Sequence, residues 1–190
     1  MTIFNANIDV SNVFERRRKL VKNIVSDAIN KWDNIISGVK KNINTPTNFL
    51  ITININFNNL GQNTLGMGGI DDIYGTPPYI YGVNVYPKRG SITINTSKLE
   101  DMILTTTIPS GKTQLYSTIL HEIGHVLGIG NIWKADDEVN NIPVQSYKDD
   151  NGVSLKYYNG ASALREYRNI FKNQKFVGIP LENDGGPGTA

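Results

Sequence analysis

The 190-residue chain has no cysteine and only two histidines. Without cysteine there is neither a disulfide framework nor a thiol switch, which leaves the redox compartment open. Nowhere do eighteen apolar residues run together, so no membrane span is expected. The N-terminus, MTIFNANIDVSN, has no basic region and no long apolar stretch, and a secretory signal is not expected there. An excess of one charge is missing too, since 19 Lys and Arg against 17 Asp and Glu leave a formal charge of +2. The densest basic run, Arg16-Arg17-Arg18-Lys19, falls in a helical pattern and reads as a solvated face. Nucleic acid is therefore not an expected partner.

What is present suits one globular domain with a sizeable core, 39% of the residues being hydrophobic. From Val13 to Ile36 apolar positions recur at helical spacing, with Asn12 and Glu15 suited to a capping box and Gly38 to the end. FLITININF, residues 49–57, alternates strictly and predicts a half-buried strand. Residues 60–78, rich in Gly and ending in Pro-Pro, read mostly as loop, with a short strand around Leu65 as the alternative. Residues 79–90 and 91–99 read as two short extended segments. A helix over about Lys112 to Leu127 follows, stopped by Gly128 and Gly130. Residues 131–152 look like loop, GASALREYRNIFKN like a short helix, and VGIPLENDGGPGTA like an irregular tail.

Both histidines fall in TILHEIGHVLGIGNIW, residues 118–133. On a helix, His121 and His125 are separated by about 40° around the axis and about 6 Å along it, so both imidazoles can share one tetrahedral zinc ion. Glu122 lies about 100° round from His121, beside the metal rather than on it, where it can take a proton from a zinc-bound water. Ile119, Leu120, Ile123, Val126 and Leu127 would bury this helix. Gly124 would keep it thin, and Gly128 would turn the chain after the second ligand.

A zinc site needs a third protein ligand, and no other His exists. In the compact pattern HExxHxxGxxH the third position is occupied here by Asn131, a poor zinc ligand. Glu166, on the helix at ALREYRNIF, is the better internal candidate and would give a His2Glu set. Asp136, Asp137, Glu138, Asp149 and Asp150 read as solvated loop acids, with a calcium role as the alternative.

HEIGHVLGIG, then an insertion with YYNGASALREYRNIF, then IPLENDGGPGTA, resembles the leishmanolysin-like metallopeptidases, a metzincin family. In that family a long insertion carrying a Gly-x-x-Ala-Leu helix follows the second His, and a segment of the form P-[LV]-E-N-x-G-G-x-G-T precedes the third zinc ligand. His121, Glu122, His125 and Gly128 match the first ligand, the base, the second ligand and the turn. Gly160, Ala163 and Leu164 match the insertion helix. Pro180, Leu181, Glu182, Asn183, Gly185, Gly186, Gly188 and Thr189 match the segment leading to the third ligand.

The resemblance covers roughly residues 90–190 and implies a third His just beyond Ala190, with a methionine turn further on. Glu166 would then be a surface residue. RGSITINTS is similar to the family's strand before the active-site helix, which would make Ser91, Ile92, Thr93 and Ile94 part of an edge strand along which a peptide lies. The family is rich in disulfides and commonly secreted or membrane-anchored, so with no Cys here an extracellular location does not carry over.

The expected fold is α+β: a twisted mixed sheet packed against a long N-terminal helix and the HExxH helix, with an irregular C-terminal region. It would form one domain over 1–190, with an N-terminal subdomain to about 130 and an incomplete C-terminal one from about 131. The expected function is a zinc-dependent endopeptidase acting on protein or peptide substrates, with the chain part of a longer polypeptide or larger assembly. The alternative is a protease-derived structural or binding module that has lost turnover.

Overall fold

The computed structural model describes residues 2–36, 48–74, 86–107, 110–129, 144–148 and 154–180. The elements are β1 (Phe4–Ile8), α1 (Glu15–Ile35), β2 (Ile51–Asn58), β3 (Gly66–Tyr74), β4 (Tyr86–Asn95), a 3-10 turn at Thr96–Lys98, α2 (Leu99–Leu104), α3 (Gln114–Val126), β5 (Val144–Lys148), β6 (Ser154–Tyr158), α4 (Ala161–Phe171) and β7 (Ile179–Pro180). The fold is α+β with a mixed sheet, as the sequence suggests.

Four strands form that sheet in the order β1-β2-β4-β3, and three more form an antiparallel sheet in the order β5-β6-β7. β1, β2 and β4 run parallel, while β3 runs antiparallel to β4 at the edge. The strict alternation of β2 buries Ile51, Ile53, Ile55 and Phe57 on one face and leaves Thr52, Asn54 and Asn56 half-buried on the other. In register with them, Phe4 of β1 and Ile92 and Ile94 of β4 extend the apolar face. One core joins these residues to Val21, Val25, Ala28 and Ile29 of α1 and to Leu115, Ile119, Ile123 and Val126 of α3. Each fully buried Ile or Val contributes about 1.5–3 kcal/mol through apolar area removed from water.

Several local expectations are corrected. Helix α1 has Phe14 at its N-cap position and no side-chain cap. Asn12 instead donates through Nδ2 to the carbonyl of Phe57 and to Asn58 Oδ1, tying the helix entry to the end of β2. The glycine-rich segment after residue 60 holds a nine-residue strand, β3, rather than loop. At two of its glycines, Gly66 and Gly68, helix α3 lies so close that a side chain would collide with it. Tyr86–Asn95, across the boundary between the two extended segments at Gly90, is one strand, β4, while residues 79–85 lie outside the described residues. β5 lies inside the segment read as loop. Gly38 lies outside the described residues.

The basic run does more than face solvent. Arg17 makes a two-nitrogen contact with Glu100 of α2, its NH2 group 2.7 Å from Oε2. Arg18 donates to the carbonyls of Val13 and Ser11.

Candidate metal centre

Helix α3 is fixed from three sides before its functional residues enter the account. Thr113 caps it, accepting through Oγ1 a hydrogen bond from the Tyr116 amide at 3.2 Å. On the α1 side, Trp32 Nε1 donates to the Leu120 carbonyl at 2.9 Å. On the sheet side, Ile119, Ile123 and Val126 are fully buried.

Close approach to the sheet depends on three glycines. A Cβ on Gly90 would lie 2.5 Å from Val126 Cγ1, and one on Gly68 would lie 2.7 Å from the Glu122 carbonyl oxygen. One on Gly66 would lie 3.0 Å from Thr118 Cγ2. Sequence reasoning placed the thin point of the helix at Gly124 instead. There a Cβ would meet only Ile129 and Trp32, at an ordinary 3.7 Å, so the helix does not require glycine at that position. The signal for the true contact was GMGG in a run otherwise able to form a strand, just where a bulge or close backbone approach is expected.

The HExxH spacing does bring the histidines together. Their Nε2 atoms are 2.9 Å apart, with ring centroids at 4.6 Å and the rings nearly perpendicular. Beyond the helix, Gly128 takes φ +95°, and the chain folds back so that the Ile129 amide reaches the Gly124 carbonyl at 2.9 Å. That turn aims the Ile129 carbonyl at Nδ1 of His125, 2.8 Å away. A carbonyl only accepts, so Nδ1 carries the proton and a neutral His125 presents a bare lone pair at Nε2. His121 Nε2–H can donate to that lone pair until a cation replaces the proton.

The two imidazoles are spaced as two of the ligands of a zinc ion would be. Two imidazole nitrogens bound at 2.0–2.1 Å with tetrahedral angles are about 3.3–3.4 Å apart, a few tenths of an ångström wider than the pair here. Pinning the remote nitrogen of a ligating His to a carbonyl is the usual outer-shell device of zinc sites.

Glu122 is 2% exposed and lies between α3 and the edge strand. Oε1 is the carboxylate oxygen nearest the Gly66 position, at 3.2 Å from a Cβ built there; Oε2 is nearest Gly68, at 3.0 Å. Further along β3, Asp72 lies 3.0 Å from Lys88 of β4, which holds the Asp72 carboxyl below the usual carboxylate range. At the start of α3, burial, aided by Asp27, pushes the Tyr116 hydroxyl up.

The remaining candidates are placed differently. Ser91, Ile92, Thr93 and Ile94 lie on β4, an inner strand, and not on an edge strand. Ile92 and Ile94 are core residues, and Ser91 donates through Oγ to Asp71. Among the described residues the edge strand on this side of the sheet is β3. Glu166 is exposed on α4, with its Oε1 3.1 Å from Arg165 Nε. Among the described residues no group of three or more His, Cys, Asp or Glu is gathered to hold a metal. Asn131, Asp136, Asp137, Glu138, Asp149, Asp150 and the segment from Leu181 to Ala190 lie outside the described residues. Among the described residues no helix is long and apolar enough to cross a membrane. No protein-family model matches the chain, and no curated protein matches it.

Proposed function

We propose that this chain carries the zinc-holding and base-bearing part of a metzincin-type endopeptidase, of the leishmanolysin-like kind that its motifs resemble. The observation that carries the reading is the convergence of the two Nε2 atoms at 2.9 Å, with His125 Nδ1 held by the Ile129 carbonyl. His121 and His125 would hold the metal, and the resemblance assigns the third ligand to a histidine following the PLENDGGPGT segment. When bound, zinc supplies Lewis acidity to a peptide carbonyl and to the water that attacks it.

The chain's own residues do the rest. Glu122, held against β3, accepts the proton of the attacking water and returns it to the leaving amine, the ordinary work of a carboxylate general base. β3 offers the peptide a place to lie. It is the terminal strand of its sheet among the described residues, and an extended substrate can add to such an edge through main-chain hydrogen bonds. Helix α3 packs directly on that strand, which brings HExxH and the added peptide to one cleft.

The test is zinc stoichiometry together with cleavage of an unfolded protein. Glu122→Gln should keep the metal and lower the rate about 10²- to 10⁴-fold, the usual range for loss of a general base. Cleavage that survives this substitution would overturn the assignment. Zinc bound without any cleavage by the wild type would instead favour the protease-derived binding module.

A further inference from the structure

We infer that Gly66 is a positioning residue for Glu122: the bare Cα of the edge strand sets where the carboxylate lies. The inference rests on the function proposed above and concerns how its base is held. Two glycines of β3 face the same turn of α3, but they meet different atoms. A Cβ on Gly68 would strike the Glu122 carbonyl oxygen at 2.7 Å and its Cβ at 2.9 Å as well as Oε2 at 3.0 Å, so a side chain there must push the helix away and moves backbone and carboxylate together. The three atoms nearest a Cβ on Gly66 all belong to side chains, namely Thr118 Cγ2 at 3.0 Å, Glu122 Cγ at 3.1 Å and Glu122 Oε1 at 3.2 Å.

Gly66 is thus the point where spacing of the helix and placement of the carboxylate separate. A methyl group there requires the Glu122 side chain to give by a few tenths of an ångström, while the α3 backbone stays where the sheet holds it. His121 is exposed and His125 half-buried on the same helix, and the remote nitrogen of His125 meets Ile129 rather than β3, so the metal pair should not feel the change. A glycine needed only for packing behaves differently. At Gly90 the contacts are Val126 and the Gly69 carbonyl oxygen, neither of them part of the candidate site.

The experiment compares Gly66→Ala with the wild type in the full zinc-loaded chain, measuring kcat, KM, zinc affinity and melting temperature. The expected result is a kcat lower by about 10- to 100-fold, the size of effect that sub-ångström to 1 Å misplacement of a reacting group produces. KM and zinc affinity should stay within about twofold. Adding Thr118→Ser removes the methyl that crowds position 66 while keeping the hydroxyl on Met102 Sδ, and it should restore part of kcat. In a Glu122→Gln background, Gly66→Ala should have no further effect on kcat, whereas a structural role would give additive losses.

A kcat within about twofold of wild type, or a parallel loss of zinc affinity, overturns the inference. Failure of the wild type to cleave overturns the function reading instead. The seat is then read from unfolding of the metal-free chain: Gly66→Ala must be better tolerated alongside Glu122→Ala than alone, and equal destabilisation in both backgrounds overturns the inference.

Discussion

Nδ1 of His125 lies 2.8 Å from the carbonyl oxygen of Ile129, and the chain can make that contact because Gly128, between them, adopts φ +95°. In this conformation a Cβ crowds the following carbonyl, at a cost of about 1–2 kcal/mol per non-glycine residue. Gly128→Ala should therefore destabilise the metal-free protein by about that amount. If the turn moves, the carbonyl leaves the ring, and zinc affinity should fall by about 10- to 100-fold, as for other outer-shell losses. Urea unfolding and a competitive zinc titration read the two effects separately. Destabilisation with unchanged zinc affinity would show that the Ile129 carbonyl does not serve the metal.

Gly124 offers the opposite case within the same turn of helix. It is buried, but a Cβ there would find its nearest atoms at 3.7 Å, and its φ lies in the ordinary range. Glycine in a helix interior is about 0.8–1.0 kcal/mol worse than alanine. Gly124→Ala should stabilise the protein by about 0.5–1 kcal/mol in chemical denaturation, with zinc affinity unchanged. A loss of stability would mean that Trp32 or Ile129 packs against α3 more closely than these distances indicate.

The two glycines also show what could be read from the sequence and what could not. Spacing alone carried the His pair, because positions four apart on a helix share a face whatever surrounds them. Alternation carried β2 for the same reason. The edge strand was misread because glycines were taken at their intrinsic value, as breakers, at Gly66, Gly68 and Gly69. At Gly66 and Gly68 their meaning is set by α3, a helix later in the chain that comes within contact distance of the strand. A similar override removed Asn12 from the helix cap, since the end of β2 offered its amide two acceptors. Ser91 to Ile94 were given edge status from the resemblance, as the strand before the active-site helix, yet β3 pairs outside β4 although it precedes it in sequence. Order along a chain does not determine order across a sheet.

Asn95, at the end of β4, is fully buried and holds the loop that leads into β3. Its Nδ2 donates to the carbonyls of Gly61 at 2.7 Å and Thr64 at 2.6 Å. Its Oδ1 accepts from the amides of Leu60 and Ser97. Removing this side chain takes a partner from the Gly61 and Thr64 carbonyls and from the Leu60 and Ser97 amides, all in part-buried contacts, while the Gly61 carbonyl keeps the Ser97 hydroxyl. Asn95→Ala should destabilise the protein by about 2–3 kcal/mol, the usual penalty for buried polar groups left unsatisfied. Amide exchange at residues 60–66 should quicken more than exchange in β2, because the loop is released before the core opens. Uniform acceleration across both segments would argue against such local release.

Glu100 and Arg17 supply a pH-dependent link between α2 and α1. The hydrogen bonds and charge of Arg17 hold the Glu100 carboxyl below its ordinary 4.5, and the same contact raises the Arg17 guanidinium. A carboxyl whose folded pKa is depressed contributes stability that is fully present above its unfolded pKa and is lost as pH falls through the folded value. At about pH 7, Glu100→Gln should therefore melt below the wild type. As the pH falls from about 5 to about 3 the two melting curves should converge, because the wild-type carboxyl takes up the proton that removes its charge. Salt should narrow the gap at about neutral pH, since both groups remain within reach of counter-ions. A difference in melting temperature that stays constant through the acid range would mean that residue 100 acts through packing rather than through its charge.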